Sequence, residues 1–562
     1  MGVLSFVPFK GIRSEISPKL LPENYAVEAV NTFLDAGSLS SWKGLTEVAT
    51  LGKSGTIQTL HLLGGSTWLH FNEVAQVALS PIANNDLFYS VITGFGAPKY
   101  TDSGLAIAGG GNTWPNLSYE LGFPQPSTQL TGVAQSKAPK GLRGQWTIAG
   151  TETDTIGNKL TYTYVYTYAD SSGREGPPSV PTDLIYASTD DKIVLSGFSQ
   201  LTGNYPVTGL QIRIYRSENG GPFQYLAQKT NDTLDFTDDF SIVSGSEIQT
   251  TLYSQPHSGM KGIVTMANGI MAGFVNNDVY LSEPYQPHAW PEDYILHTDY
   301  DVTGLVAVGN MLIVTTKKYP YIASMSHPST ATLDKLETTQ GNLNIRSLVE
   351  ISGGAVYASD DGLVMVGQSG SSVITKNIIS EKTWREMNPS SIHGYFYRGH
   401  YFGFYNSGKS GDTFITENGE TIPSKGGFIV DIEGSQVVYT DIYADCAYSD
   451  LGSSHLFIVQ NIGGANKVFQ WNSNASKLNF KYKSKPIIVK RTTLNAGRVE
   501  LKSGSVDLSV IADGNIIFKK KISDTNVFRM PSGYSARQFE IELSGTGEVD
   551  GVFLASSVSE IP

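Results

Sequence analysis

The chain is short of several things at once, and each shortage removes a class of function. Cys446 is the single cysteine in 562 residues, so no intramolecular disulfide framework and no cysteine-based zinc site can form. In the strand-like stretch DIYADCAY it reads as an inert buried thiol. Charged residues make up 16%, against a usual ~25%, and the formal net charge is −12. Such a molecule has no general attraction for DNA, RNA or anionic lipid.

No run of eighteen apolar residues occurs, so no membrane-spanning helix is expected. The opening MGVLSFVPFKGIRSEISP lacks a charged leader, its apolar run is too short for a signal peptide, and Phe6 stands where myristoylation needs Ser or Thr. The expected location is a cytoplasm, unless the chain leaves it within a larger particle. H-E-x-x-H and G-x-S-x-G are both missing.

What the chain does have is glycine (59 residues), tyrosine (29) and phenylalanine (24), a balance that favours strands joined by tight turns. From about residue 258 to 475 a unit of two apolar strands around a Gly- or Asn-containing turn recurs, with starts at 262, 302, 348, 392 and 440. A period of roughly 40 to 48 residues is that of a four-stranded propeller blade. TIQTLHLLGGSTWLHFNEVAQVALSP and NNDLFYSVITGFGAPKYTDSGLAIAGG supply one or two further blades.

The predicted fold is all-β: a six- or seven-bladed β-propeller with an inserted fibronectin III-like sandwich and a C-terminal β-sandwich. Its expected parts are an N-terminal arm and hairpin (1–55), the first part of the propeller (56–112), the insert (113–257), the second part of the propeller (258–475) and the terminal sandwich (476–562). The insert is marked by the alternating LTYTYVYTYA and by a hairpin at Asn219-Gly220-Gly221, the terminal sandwich by an Asp513-Gly514 hairpin. The best helix pattern is LPENYAVEAVNTFLDAG, although NTFLDAGSLSSWKG reads equally well as a hairpin.

Four apparent motifs need weighing. Gly403 to Ser410, GFYNSGKS, satisfies G-x-x-x-x-G-K-[ST], but GDTFITENGETIPSKGGF follows where a phosphate-binding loop needs a helix. Lys409 and Ser410 therefore read as part of an inter-strand loop. The pairs Asp190-Asp191, Asp238-Asp239 and Asp360-Asp361 could serve acid/base chemistry, yet each falls where a turn is required. His257, His288, His297 and His327 share one region of loop-like text. Lys481, Lys483, Lys485, Lys490 and Arg491, and then Lys519, Lys520 and Lys521, read as protection of exposed sheet edges, or else as a dock for an acidic neighbour. No catalytic, cofactor-binding, metal or other binding residue is singled out, and no cofactor or enzymatic activity is expected.

Several phrases carry a resemblance. LSEPYQPHAWPEDYILHTDYDVTGLVAVGNMLIVTTKKYPYIA combines a Ser-Glu-Pro strand end, a Trp-containing loop and a hairpin, and YASDDGLVMVG closes a blade on an Asp-Gly turn. KGIRSEISPKLLPENYAVEAVNTFLDAGSLSSWKGL, TYVYTYADSSGREGPPS with RIYRSENGGPFQYLA, and ADGNIIFKKKISDTNVFRMPSGYSARQFEIELSGTGEVDGVFLASS extend the likeness over most of the chain. Together they resemble the tail nozzle, or tail tubular protein B, family of short-tailed bacteriophages, related to packaged-DNA stabilising tail proteins. The resemblance implies a structural virion protein, assembled in the host cytoplasm as a ring, usually a hexamer. Such a ring docks adaptor and fibre or spike proteins and passes genomic double-stranded DNA without binding it specifically or inserting in a membrane. Two rival expectations are a tail module binding host-surface glycan through WPNLSYELGF or PHAWPEDY, and a propeller glycosidase whose carboxylate pairs converge at the ring mouth.

Overall fold

The computed structural model describes residues 3–35, 37–82, 87–137, 146–148, 159–206, 208–241, 245–417, 419–432 and 436–562. Its sheets make an all-β protein. Seven sheets stand around one central cavity, and the first strand of each faces it: Thr59–Leu63, Gln76–Leu79, Lys261–Thr265, Val302–Val308, Val349–Ile351, His393–Tyr397 and Cys446–Asp450. We number the blades one to seven in that order. Among the described residues blades two to five and blade seven are four-stranded antiparallel sheets, blade six is four antiparallel strands of a larger sheet, and blade one is the two-stranded pair Thr59–Leu63 and Thr67–Phe71.

Burial explains why the blades are legible as apolar runs. Second strands such as Met311–Thr316 and Gly354–Ser359 are buried along their whole length, because a neighbouring blade covers each face. Adjacent blades share cores: Leu305, Leu312 and Val314 of blade four pack with Phe274, Val279 and Leu281 of blade three, and Val306 and Ile313 pack with Tyr357 and Val364 of blade five.

The N-terminal segment is no free arm. Its strand Thr46–Thr50 pairs with Ala465–Gln470 as the outermost strand of blade seven, so the two ends of the propeller are held in one sheet. The helix pattern at 21–37 is overridden as well: Ala26–Val30, Thr32–Asp35 and Ser38–Ser41 are strands. Ala26 and Ala29 are completely buried between strands of two other segments, and that tertiary pairing outweighs alanine's helical preference.

The C-terminal sandwich is continuous with the propeller rather than a separate body. Ala26–Val30 pairs in parallel with Val437–Thr440 of blade six on one side and antiparallel with Phe480–Ser484 on the other, giving a single ten-stranded sheet. The facing sheet likewise mixes ends of the chain, with Leu4–Phe6 and Ser38–Ser41 both pairing Glu548–Ala555. One large core, containing Trp42, Trp384, Trp471, Tyr482 and Phe539, runs through blades five to seven, the N-terminal strands and the sandwich.

Between blades two and three the chain leaves the ring to form two four-stranded sheets, between Thr131–Lys137 and Phe236–Asp238 in sequence. The alternation of LTYTYVYTYA places Tyr162, Tyr164, Tyr166 and Tyr168 in the core between them. The expected start at 113 needs correcting, because Tyr119–Glu120 is the outer strand of blade two. Residues 138–145, 149–158, 207 and 242–244 of the insert lie outside the described residues. Its entry and exit adjoin: a Cβ on Gly122 would lie 2.9 Å from Pro256 Cδ and 3.5 Å from Gln255 Cα. Among the described residues no helix is long and apolar enough to cross a membrane.

Candidate functional site: the central cavity and the insert junction

The seven inner strands line an open cavity of about 380 Å³. Its wall is mainly apolar, with Leu60, Val77, Ile263, Leu305 and Leu348 among the lining residues, and a few polar groups converge on it from different blades. Arg346 precedes the inner strand of blade five and donates from its guanidinium to the Asp445 carbonyl at 2.5 Å, fastening blade five to blade seven. Tyr395 Oη lies 3.1 Å from His393 Nδ1. Burial, with the nearby Arg346 charge second, holds His393 well below the ordinary imidazole range.

His61, on blade one, stacks edge-on against Tyr448 of blade seven with centroids 5.1 Å apart. Burial pushes its imidazole down to about 4, so it is neutral at pH 7. Glu350 also lines the cavity, and desolvation raises its carboxyl. One guanidinium and one carboxyl in an otherwise neutral wall leave no net attraction for a polyanion. The volume lies at the lower end of small-molecule sites and is too small for a nucleic-acid duplex, whose major groove alone is ~12 Å wide.

A second polar centre joins the insert to the ring. Arg174 donates to Asp170 Oδ2 at 2.7 Å through Nε and to Tyr89 Oη and Tyr100 Oη, each at 2.7 Å, through its terminal nitrogens. Beside it, buried Glu175 accepts from Thr167 Oγ1 at 2.5 Å, Arg213 at 2.6 Å and Tyr215 Oη at 2.6 Å. His288 of the ring is 3.4 Å from the Glu175 amide, and burial lowers its imidazole to about 4. Each charge here is paired and hydrogen-bonded, as a buried ion must be, and the network acts as a fastening.

The residues singled out in the sequence are dispersed. Gly403 lies inside the strand His400–Asn406, paired with Phe428, and a Cβ there would meet the Phe428 ring at 2.3 Å. The glycine serves packing. The next element is the strand Thr413–Ile415, and Lys409 Nζ sits 3.8 Å from Glu386 and 5.6 Å from the Phe414 ring centre.

The three carboxylate pairs do not meet at one point: Asp190-Asp191 and Asp238-Asp239 adjoin the neighbouring insert strands Lys192–Ser196 and Phe236–Asp238, where Ile193 pairs Asp238, while Asp360-Asp361 is on blade five. Asp191 caps a turn by accepting from the Ser188 amide, and Asp361 accepts from Gln340 in the turn between two strands of blade five. The turn reading fails for Asp238, which is 1% exposed within a strand and pairs with Arg216 at 2.8 Å and Tyr164 Oη at 2.8 Å. That ion pair crosses between the two sheets of the insert, a relationship local sequence cannot disclose.

Of the four histidines, His297 pairs with Asp278 at 2.7 Å and His327 lies 3.9 Å from Glu283. Among the described residues no three His, Cys, Asp or Glu side chains gather as metal ligands do. Trp290 is 2% exposed and donates to the Pro287 carbonyl, so it offers no open aromatic face, while half-buried Trp114 packs against the cores that blade one shares with its neighbours. Cys446 is buried, with its thiol pushed up to about 12 by desolvation.

The lysine clusters divide. Lys481 and Lys483 lie on an interior strand, not an edge, and pair with Glu28 at 2.8 Å and Glu540 at 3.2 Å. Lys519, Lys520 and Lys521 do lie on an end strand of the ten-stranded sheet. Sequence reasoning passed over His61, Arg346, Glu350, Tyr395 and Tyr448. Their common signal is position, at or beside the first strand of a repeat, which only a registered alignment of the repeats displays.

No protein-family model and no curated protein matches the chain. Among solved structures, it is similar to an exo-β-1,3-galactanase from Phanerochaete chrysosporium (7% identity, 70% of this chain and 100% of that one, TM-score 0.22). It is also similar to the computationally designed Ika8 protein (14%, 51% and 92%, TM-score 0.24) and to PorZ, a surface component of the type-IX secretion system of Porphyromonas gingivalis (11%, 91% and 71%, TM-score 0.25). At these scores the likenesses carry no functional argument.

Proposed function

We propose that the protein is a structural component of a short bacteriophage tail, a subunit of a nozzle-like ring that docks neighbouring tail proteins and borders the path of the genome. The observation that carries this reading is the way residues 10–45, where the family resemblance begins, are built into the molecule. They supply the strand Ala26–Val30 that joins blade six to the terminal sandwich, and they lead into Thr46–Thr50, which completes blade seven. A part that bears load between neighbours benefits from such interlocking, because force on one region is shared across a continuous sheet. With a cavity of only about 380 Å³ inside the propeller, the genome's path would lie between copies of the chain.

The test is disruption of tail-bearing particles that contain the chain, followed by mass measurement of the released assemblies. A ring of identical copies, six being the expectation, supports the reading. Release solely as a free monomer, or absence of the chain from the particles, overturns it.

A second reading rests on the same cavity. Tyr395, Tyr448, Arg346 and Glu350 around a mainly apolar, nearly neutral space suit one or two sugar rings better than a phosphate. Calorimetric titration with neutral mono- and disaccharides, and its loss in Tyr395→Ala, would favour a glycan-binding module.

A further inference from the structure

Charge is unevenly divided along the chain. Residues 476–562 hold thirteen Lys and Arg against nine Asp and Glu, while residues 1–475 hold 27 against 43. A basic terminal sandwich is thus joined to a strongly acidic body.

The basic excess has a focus. Asn515–Ile522 ends the ten-stranded sheet and is paired on one side only, with Val506–Ala512. Lys519, Lys520 and Lys521 are all exposed on it. Lys520 turns toward the sandwich core and holds its ammonium 5.6 Å from the Phe528 ring centre, whereas Lys519 and Lys521 lie opposite Ser509 and Asp507 on the outer face. None of the three has an ion-pair partner among the described residues. Exposed Arg529 follows on the end strand of the facing sheet, and Ile516 of the lysine strand is 61% exposed.

The complementary surface is on the same chain. Residues 230–316 contain eleven Asp and Glu and one Lys or Arg, Lys261, with Lys317 and Lys318 following directly. Asp235, Asp239, Glu247, Glu292 and Asp293 are exposed there. Asp299 and Asp301 are exposed too but pair with Lys335 at 2.6 Å and Lys317 at 2.5 Å, whereas Glu292 and Asp293, beside the outermost strand of blade three, have no ion-pair partner among the described residues. Lysines that only keep an edge from aggregating need no such counterpart.

We infer that the free edge Asn515–Ile522, with Lys519 and Lys521, is the docking surface for a second copy of this chain, which presents its acidic flank around Glu292 and Asp293. Two unlike patches in contact make a head-to-tail interface, which closes into a ring when the rotation between copies allows it. The inference rests on the ring proposed above and names the surfaces that would build it.

The test is sedimentation velocity of the full chain at about 0.1 M salt, where charges act over ~10 Å. The original protein is expected to assemble, and to dissociate as salt rises. Lys519→Glu with Lys521→Glu, and separately Glu292→Lys with Asp293→Lys, should each raise the concentration needed for assembly at least about tenfold, one decade being 1.4 kcal/mol. All four changes together should restore assembly. Circular dichroism checks that each variant folds, and Lys519→Gln with Lys521→Gln gives a milder version of the same loss. A monomer at every concentration overturns the inference, as does failure of the fourfold swap to rescue. Assembly unaffected by either pair of reversals overturns this interface while leaving the ring intact, and particle mass tests the ring separately.

Discussion

Val30 pairs in parallel with Tyr439, and through that contact a strand from the beginning of the chain becomes the seam between blade six and the terminal sandwich. Parallel neighbours need a long connection, and here more than four hundred residues of propeller and insert provide it. The strand Ala26–Val30 is therefore structural rather than appended.

The seam yields the first prediction. Ala29 is completely buried and lies opposite Tyr482, so Ala29→Pro would force a ring into a filled space within a sheet. A loss of at least about 3 kcal/mol is expected. Urea denaturation should show blades five to seven and the sandwich weakened together, since they share one core. Destabilisation confined to the sandwich would contradict the shared core.

Arg174 fastens the insert. Arg174→Met should leave Asp170, whose side chain is 4% exposed, without its ion-pair partner, and Tyr89 and Tyr100 without their donor. A cost of about 3 kcal/mol is expected from breaking a buried pair. Calorimetry should show the insert melting before the ring, where the original protein shows the two melting closer together. An unchanged profile would mean that apolar contacts alone hold the junction.

Glu420 gives a pH signature. It is 4% exposed, and burial raises its carboxyl to about 7 from 4.5, a shift opposed by hydroxyl donors that include Thr383 Oγ1 at 3.2 Å and reinforced by the nearby Glu386 charge. A folded value above the unfolded one means the folded state holds the proton more tightly. The resulting stability is fully present below about pH 4.5 and is lost as pH rises through 7. Glu420→Gln should remove that dependence and become the more stable form above pH 7, by up to about 3 kcal/mol. Parallel denaturation curves at every pH would refute the assignment.

Lys409 is the contrasting case. Half-exposed, with Glu386 3.8 Å away, it should tolerate Lys409→Ala within about 0.5 kcal/mol. Nucleotide binding by the purified protein, abolished by that change, would reverse the reading of GFYNSGKS.

The adjoining entry and exit of the insert predict that joining Phe123 to Gln255 through a short Gly-Ser linker leaves a folded propeller, because Gly122 already lies against Gln255 and Pro256. Far-UV circular dichroism and protease resistance of residues 258–475 are the measurements. Global unfolding would show that the ring needs the Arg174 network.

Much of the architecture is written locally. Period-two alternation placed the tyrosines of LTYTYVYTYA in a core, turn glycines and asparagines separated the strands, and a repeat of blade length marked strands that begin at Lys261, Val302, Val349, His393 and Cys446. These signals survive in sequence because neighbouring residues create them. Other features depend on residues far apart in the chain. Ala26–Val30 has a helical composition and becomes a strand because two distant edges require one; Asp238 stands in turn-like text and becomes a buried ion because Arg216 lies across from it. The central cavity draws on residues as distant as His61 and Tyr448, each unremarkable in its own strand. The sequence by itself determined the strands, the turns and the kind of fold, whereas only the tertiary structure decided which edges meet and which side chains share a space, because those choices are made by burial and pairing between segments that carry no local mark of one another.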